Sequence, residues 1–158
     1  PGTRMSLLRN RLVLVQPNSG LFNPVQRHLV GWLGLIGSKR IAIADPAHAP
    51  AGNYAKAALF TLGMWKTFAG QTVRTQNVRA ALLLVERRET PFDIIYKTDA
   101  HDNTAVRILA AFPDNSHPPI LYGLAIVTNK KNAANQQFYR FLKSSTASAD
   151  KLVPSVLI

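Results

Sequence analysis

Short apolar runs alternate along this chain with longer stretches of helical periodicity. Residues 11–17 are apolar and β-branched and are closed by Pro17, which predicts a buried strand; Pro17, Asn18, Ser19 and Gly20 then supply a turn. Residues 26–35 predict a short helix, weakened by Gly31 and Gly34. A second buried strand is expected at 40–44, ending at Asp45-Pro46 and a loop that contains Pro50, Ala51 and Gly52. From Asn53 onward, Tyr54, Ala55, Ala58, Leu59 and Leu62 recur at helical spacing, with Gly63 as the stop. Asn77 is a good N-cap for a helix over 78–88. Further strands are expected at 92–96, 105–112 and 120–127, and a helix at 132–142 carries Ala134, Phe138, Phe141 and Leu142 on one face. The alternation predicts an α/β fold with a central, mostly parallel five-stranded sheet flanked by helices, followed by a C-terminal helical segment.

Length changes this picture little: 158 residues suit one domain, or one domain and a fragment, and 47% apolar residues suffice for a core. The absence of cysteine excludes a disulfide framework and cysteine zinc sites. Charge matters more. A net charge of +11 suggests nucleic acid or an anionic membrane surface. The excess is uneven, however: +6 over 1–40, +1 over 41–129 and +4 over 130–158. The aromatic residues sit mostly inside apolar runs, whereas a nucleic-acid groove would expose them among the basic ones. A basic nucleic-acid-binding domain therefore stands as a rival reading only. Apolar stretches such as 80–85 fall far short of the roughly 18–20 residues of a membrane span. A start at Pro1 without an initiator Met or signal peptide suggests a processed product or a piece of a longer chain.

No catalytic or metal constellation is present in the sequence. His28, His48, His101 and His117 include no pair at i, i+4, and there is no HExxH, Walker loop, GxGxxG or GxSxG. His48 and the His101-Asp102 pair are expected in surface or structural roles, and no enzyme is expected. Three features do suit an anion. Pro50-Ala51-Gly52 and Asn77-Val78 each lie at the N-terminus of an expected helix, where backbone N–H groups lack partners and the helix dipole is positive. Gly52 would let the backbone approach a ligand closely. Tyr96 ends an expected strand, at the sheet edge where α/β proteins bind ligands, and its hydroxyl can donate one hydrogen bond. Each feature also has a plain structural reading. Every α/β protein has helix N-termini, and a tyrosine at a strand end commonly packs.

The wording of the motifs adds to this. The run 40–56, RIAIADPAHAPAGNYAK, closely resembles a segment of the periplasmic molybdate-binding proteins of ABC importers. So do NVRAAL at 77–82 with LVER at 84–87, IIYKTDA at 94–100 and FPDNSH at 112–117. Gly2-Thr3-Arg4 and NRLVLV at 10–15 resemble the entry to that family's second lobe. The resemblance runs from about residue 2 to 143 and implies a type II periplasmic-binding-protein fold. On it, residues 1–129 would be the second lobe, and 130–158 a helical segment that returns to a first lobe this chain lacks. It implies a molybdate or tungstate ligand and no cofactor or metal. The contacts it implies are the backbone N–H of Ala51, the backbone N–H of Val78 and the hydroxyl of Tyr96. It also implies periplasmic localisation and an ABC permease as partner, with no nucleic acid expected. The missing first-lobe donors would leave binding weak, and exposed surface would favour self-association. The end of the chain, 150–158, departs from the family pattern, which keeps open a degenerate or repurposed lobe without transport function.

Overall fold

The chain opens with strands β1 (Met5–Asn10) and β2 (Leu12–Pro17), followed by helix α1 (Leu29–Ile36), β3 (Ile41–Ala44), α2 (Pro50–Thr61) and the short α3 (Trp65–Phe68). Next come β4 (Thr72–Thr75), α4 (Val78–Glu86), β5 (Phe92–Tyr96), α5 (Lys97–His101), β6 (Val106–Ala111) and β7 (Ile120–Leu124). A 3-10 turn at Thr128–Lys130 and helix α6 (Ala133–Lys143) complete the order. This computed structural model describes residues 3–19, 29–101 and 103–144. Gly20, His28, Asp102, the first residues of the helix expected at 26–35 and the segment 145–158 lie outside that description.

The chain divides into two compact units, one of residues 11–118 and the other of 1–10 with 119–158. The larger unit holds a five-stranded sheet in the order β4-β3-β5-β2-β6. Strand β3 runs parallel to both β4 and β5, and β2 runs antiparallel to both β5 and β6. The sheet is thus mixed, with its parallel character confined to β3, β4 and β5. Strand β2 is buried at all six positions, and a strand buried on both faces reads as one apolar run whichever way its neighbours run. The fifth strand of this sheet is β4, whose sequence Thr-Val-Arg-Thr has a single apolar residue and only partial burial. The strand expected at 120–127 does form, as β7, but pairs antiparallel with β1 in a separate two-stranded sheet of the smaller unit. In that unit α6 leaves Phe138 and Phe141 exposed.

Because β3, β4 and β5 are parallel, all three end at one edge of the sheet, at Ala44, Thr75 and Tyr96. Helices α2, α4 and α5 begin just beyond that edge. Helix α2 ends as expected at Gly63, with φ +71°, in a Schellman turn: Met64 N–H donates to Leu59 O at 2.8 Å and Gly63 N–H to Phe60 O at 3.0 Å. Helix α4 ends the same way without a glycine, through Arg88 at φ 61°. One apolar cluster joins Val13 and Val15 of β2, Leu82 and Val85 of α4, Ile95 of β5, Ala100 of α5 and Val106 of β6. It fixes α4 and α5 on one face of the sheet.

Candidate functional site

The segment between β3 and α2 is wound around Asp45. Ala47 N–H donates to Asp45 Oδ1 at 2.9 Å, and Ala49 N–H to the Asp45 backbone carbonyl at 2.9 Å. Asp45 N–H in turn donates to Thr75 O at 2.8 Å, which ties this loop to the end of β4. The loop delivers Pro50 to the first turn of α2, where its missing N–H and fixed φ cost nothing. The first-turn amides of a helix have no intrahelical acceptor, and no side chain caps α2. The amide of Ala51, itself buried, is therefore a donor the helix does not use.

A second donor arises two residues beyond β4. Asn77 is the N-cap of α4, as expected, and its side-chain oxygen accepts from Ala80 N–H at 3.0 Å. That bond takes the third amide of the helix and leaves that of Val78, the first. Thr75 Oγ1 holds this turn by donating to Asn77 O at 2.9 Å. The third residue, Tyr96, is half-buried at the end of β5. Ala51 packs with Ala44 and Ala49 in one buried cluster, and Val78 and Tyr96 pack against the same cluster. Three residues separated along the chain are thus brought to one place at the parallel edge of the sheet.

Gly52 has a packing task beside the ligand approach expected of it. A Cβ there would fall on the carbonyl of Ala44, 2.7 Å from its carbon and 2.8 Å from the carbonyl carbon of Asp45. The missing side chain lets α2 sit directly on the end of β3. His48 is exposed, 3.9 Å from Asp45 Oδ2, in keeping with a surface role. His101 is also exposed, in the last turn of α5.

Two further side chains join the site. The Tyr54 ring, one turn into α2, meets Tyr96 edge-on at 6.4 Å between centroids and 64° between planes. It meets His117 at 5.9 Å and 67°. Tyr54 was legible only as one member of an apolar helix face, and His117 only as part of a motif. Their meeting is tertiary and leaves no local signature.

The three candidate contacts are neutral. Two carboxyls flank Tyr96 along the chain, and burial pushes that of Asp99 in α5 up against the opposing pull of Arg79. Deeper in β5, Asp93 is completely buried and neither carboxylate oxygen has a hydrogen bond of ordinary geometry. Burial pushes its carboxyl well above the usual range; the Ile94 amide offsets part of this and Asp99 adds to it. Among the described residues no cluster of three or more His, Asp or Glu could hold a metal ion, and no helix is long and apolar enough to cross a membrane. Chemically, the three candidate contacts offer hydrogen-bond donors at a sheet edge. Such an arrangement can hold an acceptor-only anion.

Comparison with known proteins shows the family and the fold. Residues 1–149 match the family model described as bacterial extracellular solute-binding protein. The chain is 40% identical over 151 residues to the molybdate-binding protein ModA of Escherichia coli (strain K12), covering 92% of this chain and 57% of that protein. It is 38% identical over 145 residues to ModA of Haemophilus influenzae, with the same coverages of 92% and 57%. The chain therefore spans little more than half the length of these relatives. Among solved structures, the periplasmic molybdate-binding protein of Azotobacter vinelandii superposes with a TM-score of 0.69 at 21% identity. That superposition covers 98% of this chain and 69% of that one, and it speaks to the fold.

Proposed function

The chain belongs to the bacterial extracellular solute-binding proteins, and from that premise we propose that it contributes one side of an oxyanion site for molybdate. The family is one of solute-binding proteins rather than enzymes. The observation that carries the proposal is the convergence of Ala51, Val78 and Tyr96 on one buried cluster beside two helix N-termini. Backbone N–H groups of Ala51 and Val78 and the hydroxyl of Tyr96 donate to oxygens of the dianion, and the two helix dipoles favour its charge. Two of the three groups, the amides, can only donate, which suits an anion that carries no proton. Monohydrogen phosphate brings an O–H that these amides cannot pair, which disfavours it. Tungstate, close to molybdate in size and charge, should bind alike.

Three donors cover only part of a tetrahedral dianion, so the 158-residue chain by itself binds weakly in this proposal. Residues 1–129 act as the second lobe of a binding protein, and 130–158 as the segment that returns toward another lobe. The exposed Phe138 and Phe141 of α6 make self-association an expected property of the isolated chain. In a cell it works outside the cytoplasm and hands its anion to the permease of an ABC importer. Thermal unfolding with added oxyanions tests the reading. Molybdate or tungstate at about 10 mM should raise the midpoint, as a ligand of the folded state must. Phosphate at the same ionic strength should not. Equal shifts from all three anions, or none from molybdate, would sink it.

A further inference from the structure

The site depends on where one phenol hydroxyl points, and Tyr96 stands at a strand end, half-buried rather than enclosed. The Tyr54 ring makes edge-on contacts with both Tyr96 and His117. His117 is itself fixed: Nδ1 faces the Pro118 carbonyl oxygen at 2.8 Å, which makes this nitrogen the donor. The residue before it, Ser116, is buried and bonded twice to Pro113 O, through Oγ at 2.6 Å and its backbone N–H at 2.9 Å. The turn 113–118 is therefore a firm support, and Tyr54 rests between that support and Tyr96.

We infer that Tyr54 is a positioning residue for the oxyanion site: its ring, backed by His117, orients Tyr96 so that the phenol hydroxyl is presented toward the amides of Ala51 and Val78. The inference rests on the proposed oxyanion reading for its purpose, but the ring arrangement can be tested without any ligand. Tyr54 needs no contact with the anion. Edge-to-face rings prefer a narrow range of relative orientation, so fixing one ring restricts the other. A donor fixed before binding loses less freedom when the ligand arrives. Tyr54 also lies in the helix that carries Ala51, so one rigid element places two of the three donors.

The first arm uses ring-labelled tyrosine in the full 158-residue chain, where only four tyrosines give signals. Nuclear Overhauser contacts from the Tyr54 ring to Tyr96 and to His117 are expected. Tyr54→Leu should move the Tyr96 ring resonances, and Tyr54→Phe should leave them nearly in place. Missing contacts in the unaltered chain, or an unmoved Tyr96 in a folded Tyr54→Leu chain, would overturn the inference. The second arm titrates sodium molybdate and reads the thermal midpoint. Tyr54→Leu should weaken the apparent affinity about tenfold, as for a group left unpositioned, while Tyr54→Phe restores it. In a Tyr96→Phe background, Tyr54→Leu should cost less than about twofold more, since the hydroxyl it positions is gone. Losses that multiply instead would show that Tyr54 acts independently of Tyr96 and would overturn the inference. If no chain responds to molybdate while the ring contacts are present, the oxyanion reading fails and the positioning of Tyr96 by Tyr54 stands.

Discussion

The carbonyl of Ala44 occupies the space that a Cβ on Gly52 would need, so the first turn of α2 lies directly on the end of β3. The obstacle is the backbone of an interior strand, paired in parallel with β4, and it cannot swing aside as a side chain could. Gly52→Ala should therefore displace the start of α2, with a loss on the order of 3 kcal/mol, at the upper end for overpacking. Urea unfolding gives the magnitude. The same displacement moves the Ala51 amide, so any molybdate-dependent rise in the unfolding midpoint should vanish in this variant. A Gly52→Ala chain as stable as the parent would show that α2 and β3 are not this close.

Asn77 separates stability from binding. Its side-chain oxygen caps Ala80, not Val78. Asn77→Ala should cost about 1 kcal/mol of stability through loss of the cap. It should keep the response to molybdate, because the Val78 amide is untouched. Asn77→Asp should do the reverse. Aspartate caps as well as asparagine and suits the helix dipole, yet it sets a negative charge beside the expected dianion. Urea midpoints together with thermal shifts in molybdate check both halves. A molybdate response retained in Asn77→Asp would place the anion elsewhere.

These two residues also show how far the sequence was legible. Asn77 was readable because capping is local: the residue type, the amide three positions on and the helix that follows all lie in one short stretch. The same holds for Gly63 and for the apolar runs that became β2, β3, β5 and β6. Gly52 reads in sequence as a point of close backbone approach to a ligand, but the Ala44 carbonyl against it lies eight positions earlier on another element, and local pattern cannot name a partner. Strand β4 carries no apolar run in the sequence because Thr-Val-Arg-Thr at a sheet edge needs little apolar content. The pairing of β1 with β7 joins opposite ends of the chain, and β7 reads like any central strand. Of the site, the three donors could be proposed from helix starts and a strand end. The Tyr54 ring and its support at His117 could not, because their contacts exist only once α2, β5 and the turn 113–118 are assembled.

Arg88 closes α4 in the left-handed region at φ 61°, with Glu89 N–H bonded to Leu84 O at 2.8 Å and Arg88 N–H to Val85 O at 2.9 Å. This is the turn that Gly63 makes at the end of α2, made here by a residue with a Cβ. A non-glycine residue in that region carries a cost of about 1–2 kcal/mol. Replacement by glycine removes it, less the added freedom of glycine in the unfolded chain. Arg88→Gly is expected to stabilise by about 0.5–1 kcal/mol in urea unfolding, with no change in molybdate response. Arg88→Ala should give no such gain. Destabilisation by Arg88→Gly would mean that the arginine side chain contributes more than the strain it imposes.

Asp93 sets the expected dependence of stability on pH. It stands in the interior of β5, opposite Val15 of β2 and Ala42 of β3, with its carboxyl fully buried. Burial pushes its folded-state pKa well above the ordinary carboxyl value of about 3.9, with Asp99 adding to the rise and the Ile94 amide opposing it. The sign follows from proton counts. Below the ordinary value both folded and unfolded chains hold the proton, and Asp93 carries no penalty. Above it the unfolded chain releases the proton while the folded chain retains it, so stability falls as pH rises toward the folded-state pKa. Asp99, raised for the same leading reason, contributes in the same direction. Asp93→Asn keeps the shape and removes the ionisation. It should be more stable than the parent at neutral pH, and its stability should decline less between the ordinary carboxyl range and neutrality. Urea unfolding of both chains at a series of pH values measures the two slopes. Parallel slopes would show that Asp93 finds, in solution, a partner for its charge.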